Sequence, residues 1–209
     1  FCTQPLQVSD DATCVPPPPS QASATPLLND TAPDCDASSF TWTATDNLQK
    51  SCPGTGGTLI GATALQTLAC LDAQSAVTSN GYVSVLVTSQ TGNGSAVLAF
   101  RQGEQTAPGN RFVLTGYYFK VSPAQNTYLL YKYDGHATQR ITSNSLPQLA
   151  QHFVMGVLFS GNHFTLYING HEVGAGFEAH GVTSTGWFGI CADSGAEVFK
   201  YALVYSSSS

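Results

Sequence analysis

Apolar and polar residues alternate with a period of two along much of the chain. The clearest case runs from His163 to Ile168, where Phe164, Leu166 and Ile168 share one face, and Asn169-Gly170 follows. Asn-Gly between two alternating runs is the strongest short-range signal for a β-hairpin, because both residues tolerate the positive φ that a tight turn needs. The pattern therefore predicts a hairpin that turns at Asn169-Gly170.

Further strands are predicted from Phe40 onward, separated by turns rich in Gly, Asn, Asp and Pro. Ala62 to Leu71 is the one stretch in which a short helix competes with a strand, and its threonines lower helix propensity. Many short strands without intervening helices indicate an all-β sandwich or barrel and exclude a helical bundle. The predicted strands are Phe40–Ala44, Tyr82–Thr88, Ala96–Arg101, Phe112–Val121, Tyr128–Tyr133, His152–Phe159, His163–Ile168, His171–Val173, Trp187–Ala192 and Glu197–Tyr205.

Charge is scarce in this chain: charged residues make up 10% of it, against about 25% in ordinary soluble domains. The length of 209 residues suits a single β-sandwich domain. The formal net charge of −6, with seven Lys and Arg residues, argues against nucleic acid and anionic membranes as partners. No apolar run reaches the roughly 18 residues of a membrane span. We expect neither nucleic-acid binding nor membrane insertion, and we expect a monomer.

Composition divides the chain into three parts. Residues 1–38 are rich in Pro, Ser, Ala and Thr, and the four prolines from Pro16 to Pro19 favour an extended polyproline II conformation. We interpret residues 1–38 as a leader, 39–205 as the β domain and the serine run 206–209 as the start of a second linker. Flanking linkers predict that the domain belongs to a larger protein.

Six cysteines form an even set that lacks the close CxxC spacing of zinc sites. Disulfide bonds are the better interpretation, and they predict an oxidising compartment, so that the protein is secreted or displayed at the cell surface. Six cysteines allow fifteen pairings. The pairs we expect are Cys2–Cys14, which would form a small ring in the leader, Cys52–Cys70, which would close a Gly-rich loop, and Cys35–Cys191, which would tether the leader to a late strand.

Several segments, taken in order, carry a resemblance to a known family. They are Ala96–Arg101, Gly116–Val121, Tyr128–Gly135, Gly161–Gly170, Gly186–Ile190 and Val198–Tyr201. The chain resembles the concanavalin A-like lectin and glucanase jelly roll, above all the laminin-G-like and keto-disaccharide-hydrolase-like modules of bacterial secreted proteins. The resemblance implies a two-sheet antiparallel jelly-roll sandwich over residues 40–205. It implies a fold and not an activity, because this fold hosts lectins, adhesive modules, sensor domains and glycosidases.

Carboxylates in the sequence do not form a glycosidase motif. Glucanases of the resembled family carry Glu-x-Asp-x-x-Glu on one strand, and the sequence lacks that motif. Asp193 and Glu197 bracket a turn that we interpret as structural, although carboxylates and carbonyls there also suit a structural calcium ion. These two residues are the metal candidates, and we expect no other cofactor.

Aromatic and basic residues on the solvent-facing sides of the strands are the better candidates for a site. Sugars stack on exposed Tyr or Trp rings while a few polar groups orient them. In the resembled fold such residues would line a concave sheet face, where an Arg and several tyrosines could form a groove. The candidate ligand-binding residues are Tyr82, Arg101, Tyr118, Lys120, His163 and Tyr167.

These observations predict a non-catalytic extracellular module that recognises carbohydrate or another cell-surface polymer, as the sensor ectodomain of a larger protein. Two alternatives remain open. One is a glycoside-active enzyme of the same fold, which requires two carboxylates about 5–10 Å apart in a cleft. The other is a purely structural or adhesive module that binds a protein.

Overall fold

The computed structural model describes residues 22–30, 35, 42–44, 48–52, 57–62, 68–78, 80–89, 94–107, 111–178, 186–193 and 196–207. The described residues form fifteen β-strands and one short 3-10 helix, Pro123–Gln125. The strands lie in two antiparallel sheets that pack into a sandwich, which confirms the predicted fold class.

The first sheet, called the eight-stranded sheet, is built around a long carboxyl-terminal strand that pairs with three others. In spatial order its strands are β13 (His171–Glu178), β12 (His163–Ile168), β11 (His152–Ser160), β6 (Gly81–Ser89), β15 (Ala196–Ser207), β4 (Thr58–Ala62) and β3 (Leu48–Ser51), with β1 (Ala22–Asp30) also paired to β15. A register shift between Lys200 and Leu203 divides β15. Residues before the shift pair with β4, and residues after it pair with β1.

The second sheet, called the seven-stranded sheet, contains four of the six resembled segments. In spatial order its strands are β10 (Thr138–Ser145), β9 (Thr127–Tyr133), β8 (Arg111–Ser122), β7 (Ser95–Ala107), β14 (Gly186–Asp193), β5 (Leu68–Thr78) and β2 (Thr43–Ala44). The four segments lie on β7, β8, β9 and β14. Because β14 lies between β5 and β7, this sheet joins distant parts of the sequence.

The core lies between the two sheets and contains the apolar faces that alternation predicts. The central strands β6, β7, β8 and β12 contribute alternate residues to it, as expected for sheets with one buried face. The hairpin of β12 and β13 turns at Asn169 (φ 51°) and Gly170 (φ 77°), as predicted. The predicted core residues that are buried here are Val83, Val85, Val87, Ala96, Leu98, Phe100, Tyr117, Phe119, Val121, Phe164, Leu166 and Ile168.

The expectation that strands begin at Phe40 is wrong, because β1 lies within the segment interpreted as a leader. Its Leu28 is buried in the core. Its Asp30 accepts a hydrogen bond of 2.9 Å from the indole nitrogen of Trp42, which fastens β1 to the start of the domain. The sequence of β1, ASATPLLND, has no period-two pattern, so alternation could not reveal it. The described part of the ambiguous stretch before Leu71 is strand.

Two disulfide bonds correct the expected cysteine pairing. Cys35 is bonded to Cys52, and Cys70 is bonded to Cys191, so the expected pairs Cys52–Cys70 and Cys35–Cys191 are wrong. The expected pair Cys2–Cys14 lies outside the described residues. The second bond joins neighbouring strands β5 and β14, in which the two cysteines are direct cross-strand partners. This bond follows from the pairing of two strands whose cysteines are 121 residues apart, so the spacing of neighbouring cysteines in the sequence does not indicate it.

Candidate functional site

Arg101 lies inside the molecule at an irregularity of β7. It has a φ of 49°, and the register between β7 and β8 shifts from Phe100 to Gly103. Its guanidinium carbon lies 5.4 Å from the ring centre of Phe159 and 5.2 Å from that of Phe164, both on the other sheet. The Arg101 side chain is buried, and burial lowers its pKa. Alternation placed Arg101 on the solvent side because the bulge cannot be read from the sequence pattern.

Tyr82, His163 and Tyr167 lie on the outer face of the eight-stranded sheet. The rings of Tyr82 and Tyr167 meet edge to face with centres 6.0 Å apart, and His163 is exposed at the start of β12. Tyr82 is buried, packed beside Gly156 and near Tyr205. Burial is the main cause that raises the pKa of the Tyr82 hydroxyl.

Tyr118 and Lys120 lie on the outer face of the other sheet, on β8. The six candidate residues therefore occupy three separate places: two opposite outer faces and the interior. The premise that Arg101, Tyr118 and Tyr167 share one sheet face is wrong. Tyr118 and Tyr167 lie on strands of different sheets, and the Arg101 side chain points inward at the bulge of β7. The structure keeps Tyr118 and Lys120 together.

Around Tyr118 and Lys120 the seven-stranded sheet gathers a group that we call the tyrosine patch: Tyr118, Lys120, Tyr131, Tyr133 and Asp193. Tyr118 and Tyr131 are direct cross-strand partners, and their rings stack with centres 5.1 Å apart and planes 11° apart. Tyr118 is buried, whereas Tyr131 and Tyr133 remain partly exposed. The stack thus offers an aromatic surface whose inner ring is fixed and whose outer ring reaches solvent.

An ion pair lies next to this stack. Lys120 Nζ on β8 lies 2.5 Å from a carboxylate oxygen of Asp193 on β14, and the pair passes over β7, the strand between them. Both side chains are partly exposed, at 24% and 20%. The Asp193 charge also contributes to raising the pKa of Tyr131, after burial and the neighbouring Tyr118. The patch therefore combines an aromatic face with a donor and an acceptor held side by side.

Buried polar groups lie close to the patch on the same face of the sheet. Gly189 on β14 is the direct neighbour of Asp72 on β5, and a side chain at Gly189 would collide with the Asp72 carboxylate and lie 2.6 Å from Gln102 Oε1. The Asp72 charge and burial both raise the pKa of Tyr118, burial more strongly. Gly189 therefore leaves room for a layer of polar groups beside the aromatic stack.

Asp193 and Glu197, the metal candidates, lie in different sheets. Asp193 is paired with Lys120, while Glu197 is buried on β15 and accepts a hydrogen bond of 3.5 Å from Ser89. Across the described ranges, no cluster of three or more His, Cys, Asp or Glu side chains is placed to hold a metal ion. Nor does this part of the chain contain a helix with the length and apolar character to cross a membrane.

Sequence reasoning missed Tyr131 and Tyr133 as site residues. The two leucines at 129 and 130 interrupt the visible alternation, so the sequence left the faces of the β9 tyrosines undecided. In the structure the period-two rule holds through them: Leu130 points into the core and Tyr131 points outward. The pairing of β9 with β8 could have revealed the patch, because it brings Tyr131 directly opposite Tyr118.

Comparison with known proteins identifies the fold but not a family. No family model matches the chain, and no curated protein matches it in sequence. Among solved structures, the carbohydrate-binding module CBM66 from Bacillus subtilis superposes with a TM-score of 0.64 at 19% identity, over 80% of this chain and 96% of that one.

Two further structures extend the comparison. A Bacillus subtilis protein of unknown function with a galectin-like fold gives a TM-score of 0.68 at 12% identity, over 87% of this chain and 96% of that one. The β-glucanase of Bacillus licheniformis gives 0.59 at 10% identity, over 86% and 98%. The chain therefore has the concanavalin A-like jelly-roll fold that binding modules and glucanases share.

Proposed function

We propose that this protein is a non-catalytic carbohydrate-binding module and that the tyrosine patch is its glycan site. The observation that carries the proposal is the stacked Tyr118–Tyr131 pair beside the Lys120–Asp193 ion pair. The fold supports it, since a carbohydrate-binding module is among the structures that this chain resembles over most of its length.

The patch suits a sugar for a physical reason. The C–H side of a pyranose ring packs on an aromatic face, and Tyr131 presents a partly exposed ring held in place by Tyr118 behind it. Lys120 donates hydrogen bonds and Asp193 accepts them, so a pair of neighbouring hydroxyls can bond to both. Because sheet pairing holds these groups before the ligand arrives, little ordering is needed on binding.

The positions of the carboxylates support binding without hydrolysis. On this outer face the described carboxylates are Asp72 and Asp193, whose cross-strand partners Gly189 and Leu68 place them four residues apart along the sheet. At about 3.3 Å per residue this is roughly 13 Å, beyond the separation of about 5–10 Å in glycosidases. Asp193 is also occupied by Lys120.

An extracellular location completes the proposal. The two disulfide bonds require an oxidising environment to form and persist. The scarcity of Lys and Arg suits a neutral polymer and not an anionic one. We propose that the module binds glycans at or outside the cell surface as part of a larger protein.

The test is a glycan array with the full chain, followed by calorimetric titration with the best ligand. We expect Tyr131→Ala to weaken binding by about tenfold or more, because it removes the stacking surface. Lys120→Met should also weaken binding. Tyr167→Ala is the matched control, since it removes a partly exposed tyrosine from the opposite sheet.

Three outcomes contradict the proposal. The first is an array without hits. The second is a Tyr131→Ala variant that binds as the unaltered protein does, or a Tyr167→Ala variant that loses binding equally. The third is the release of reducing sugar from a bound oligosaccharide, which would favour a glycoside-active enzyme.

A further inference from the structure

The outer side of β9 forms a continuous accessible strip on the seven-stranded sheet. Every second residue of β9 faces outward, and Tyr128 and Leu130, which alternate with them, are buried in the core. All four outward residues are partly exposed. We call them the β9 strip: Thr127, Leu129, Tyr131 and Tyr133. The tyrosine patch therefore continues along β9 as a line of two rings and one leucine.

The same face of the sheet is closed where it crosses β7 and β14. Ala99 and Val97 on β7 are level with Tyr131 and Leu129, since β8 pairs with both strands in register. These two side chains are fully buried, as is Cys191, the partner of Val97 on β14. A ligand that rests on Tyr131 has no surface to contact there. An extended ligand must therefore run parallel to β9 and not across the strands.

The two rings of the β9 strip are held in place by the sheet. Tyr131 and Tyr133 both pack against a buried cluster on this face, and Tyr131 also stacks on Tyr118. The Tyr133 hydroxyl donates a hydrogen bond of 3.2 Å to the carbonyl of Gly135. Both rings nevertheless remain partly exposed. Rings fixed in this way offer stacking surfaces that lose little freedom on binding.

Charged donors flank the β9 strip on both sides. On β8, Lys120 is the cross-strand partner of Leu129 and is held by Asp193. On β10, Arg140 is the cross-strand partner of Tyr131, and its side chain is exposed. Ammonium and guanidinium groups donate hydrogen bonds and accept none, so both edges of the strip suit the hydroxyl oxygens of a sugar chain.

The other side chains that flank the β9 strip are uncharged. The register of β10 shifts between Arg140 and Thr142, and Ile141 packs against the core at the shift. The extra residue keeps the positions on both sides of the shift facing outward. These flanking residues are Thr138, Ser143 and Ser145 on β10, and Gly116, Tyr118 and Ser122 on β8. Hydroxyl groups along the edges can donate to a sugar as well as accept from it.

The length of the strip indicates the size of its ligand. Outward residues of a strand are about 6.6 Å apart, so Leu129, Tyr131 and Tyr133 span roughly 13 Å. A single sugar ring on Tyr131 would leave the other two uncovered. Building on the proposed glycan function, we infer that the ligand is a linear, extended oligosaccharide of at least three residues. It lies parallel to β9, with Lys120 at one edge and Arg140 at the other.

The experiment is a calorimetric titration of the full chain with three series of oligosaccharides. The probes are β-1,3-linked and β-1,4-linked gluco-oligosaccharides and β-2,6-linked fructo-oligosaccharides of two to six residues. In at least one series the affinity should rise about tenfold between two and four residues and then level off. Tyr133→Ala should weaken binding of the four-residue ligand by about tenfold and flatten the dependence on length. Arg140→Met should weaken it by about fivefold.

Gln139→Met is the matched control for Arg140→Met. It introduces the same side chain at the preceding exposed position of β10, which faces the other side of the sheet, and it should bind as the unaltered protein does. The inference is overturned if no series binds, if two and four residues bind equally, or if Arg140→Met and Gln139→Met bind alike.

The inference and the proposed function fail separately. If Tyr131→Ala loses binding while Tyr133→Ala and Arg140→Met bind as the unaltered protein does, the extended ligand is overturned and the glycan function stands. If Tyr131→Ala itself binds as the unaltered protein does, the glycan site is misplaced and both are overturned.

Discussion

Arg101 Nη2 donates a hydrogen bond to the carbonyl oxygen of Gly161, which links the seven-stranded sheet to the β11–β12 turn of the eight-stranded sheet. The Arg101 guanidinium also lies over the rings of Phe159 and Phe164. Hydrogen bonds from a charged donor contribute about 1.5–3 kcal/mol, and cation–π contacts add about 0.5–2 kcal/mol. Arg101 thus connects the two sheets and stabilises their packing.

Replacing Arg101 should destabilise the fold. We expect Arg101→Met to lower the free energy of unfolding by about 2–4 kcal/mol, because it keeps the apolar stem and removes the charged donor. Chemical denaturation measures the change. Arg140→Met, at an exposed arginine on β10, should shift stability by less than about 0.5 kcal/mol. Equal losses in the two variants would contradict the assigned role of Arg101.

The two disulfide bonds should open in a defined order. Cys52 is exposed, while Cys70 and Cys191 are both buried, so a reductant reaches the Cys35–Cys52 bond first. Alkylation at increasing reductant concentration, read by mass spectrometry, should label Cys35 and Cys52 under native conditions. Labelling of Cys70 and Cys191 should require unfolding. The reverse order would show that the buried pair is accessible in the native state.

Removing the buried disulfide should also reduce stability more than removing the exposed one. Cys70 and Cys191 are 121 residues apart, against 17 for Cys35 and Cys52. In the chain-entropy model a longer loop gives more stabilisation, about 3 kcal/mol near 15 residues and nearly 5 kcal/mol beyond 100. We expect Cys70→Ala/Cys191→Ala to show the larger loss in denaturant titrations. A larger loss in Cys35→Ala/Cys52→Ala would mean that native strain, and not loop length, dominates.

Gly156 should not tolerate a side chain. A Cβ at this position would collide with the Tyr82 hydroxyl and lie 2.7 Å from its ring carbon Cζ, and Tyr82 is buried, so the ring has little room to move. We expect Gly156→Ala to lower the free energy of unfolding by roughly 1–3 kcal/mol. Tyr82→Phe removes the colliding hydroxyl, so the double variant should lose less than the sum of the single losses. Strict additivity in this cycle would contradict the contact.

Stability should fall in alkaline solution. Burial is the first cause that raises the pKa of Tyr82 and Tyr118, so the folded protein keeps these hydroxyls protonated above the ordinary tyrosine pKa of about 10. Below pH 10 these hydroxyls are protonated in both the folded and the unfolded chain, so their contribution to the stability of the fold is fully present. Above it the unfolded chain releases protons that the folded chain retains, so each tyrosine lowers stability by about 1.4 kcal/mol per pH unit.

Denaturation at a series of pH values tests this dependence. The free energy of unfolding should decrease above pH 10, and the double variant Tyr82→Phe/Tyr118→Phe should show a shallower decrease. Phenolate absorbance should rise at the unfolding transition for the buried tyrosines. A slope that the double variant leaves unchanged would place the titrating groups elsewhere.

The candidate site shows which side-chain positions the sequence could predict and which it could not. Alternation assigned Tyr118 and Lys120 to the outer side of their strand, and the structure places both in the tyrosine patch. It misplaced Arg101, because one bulge reverses the direction of a side chain and the period-two pattern does not record bulges. Alternation also led us to place Tyr167 and Tyr118 on one sheet face. The pattern assigns residues to the two faces of a strand, but it does not tell which sheet the strand belongs to.

By itself the sequence determined the period-two alternation, the Asn169-Gly170 turn and the apolar faces of several predicted strands, and with them the all-β class. These follow from local chemistry, since the backbone alternates side chains at every step of a strand. Only the tertiary structure decided which strands are neighbours, and therefore that Lys120 meets Asp193, that Cys70 bonds Cys191, and that Arg101 points inward. Such contacts join residues far apart in the chain, and the free energy that selects them comes from packing two whole sheets.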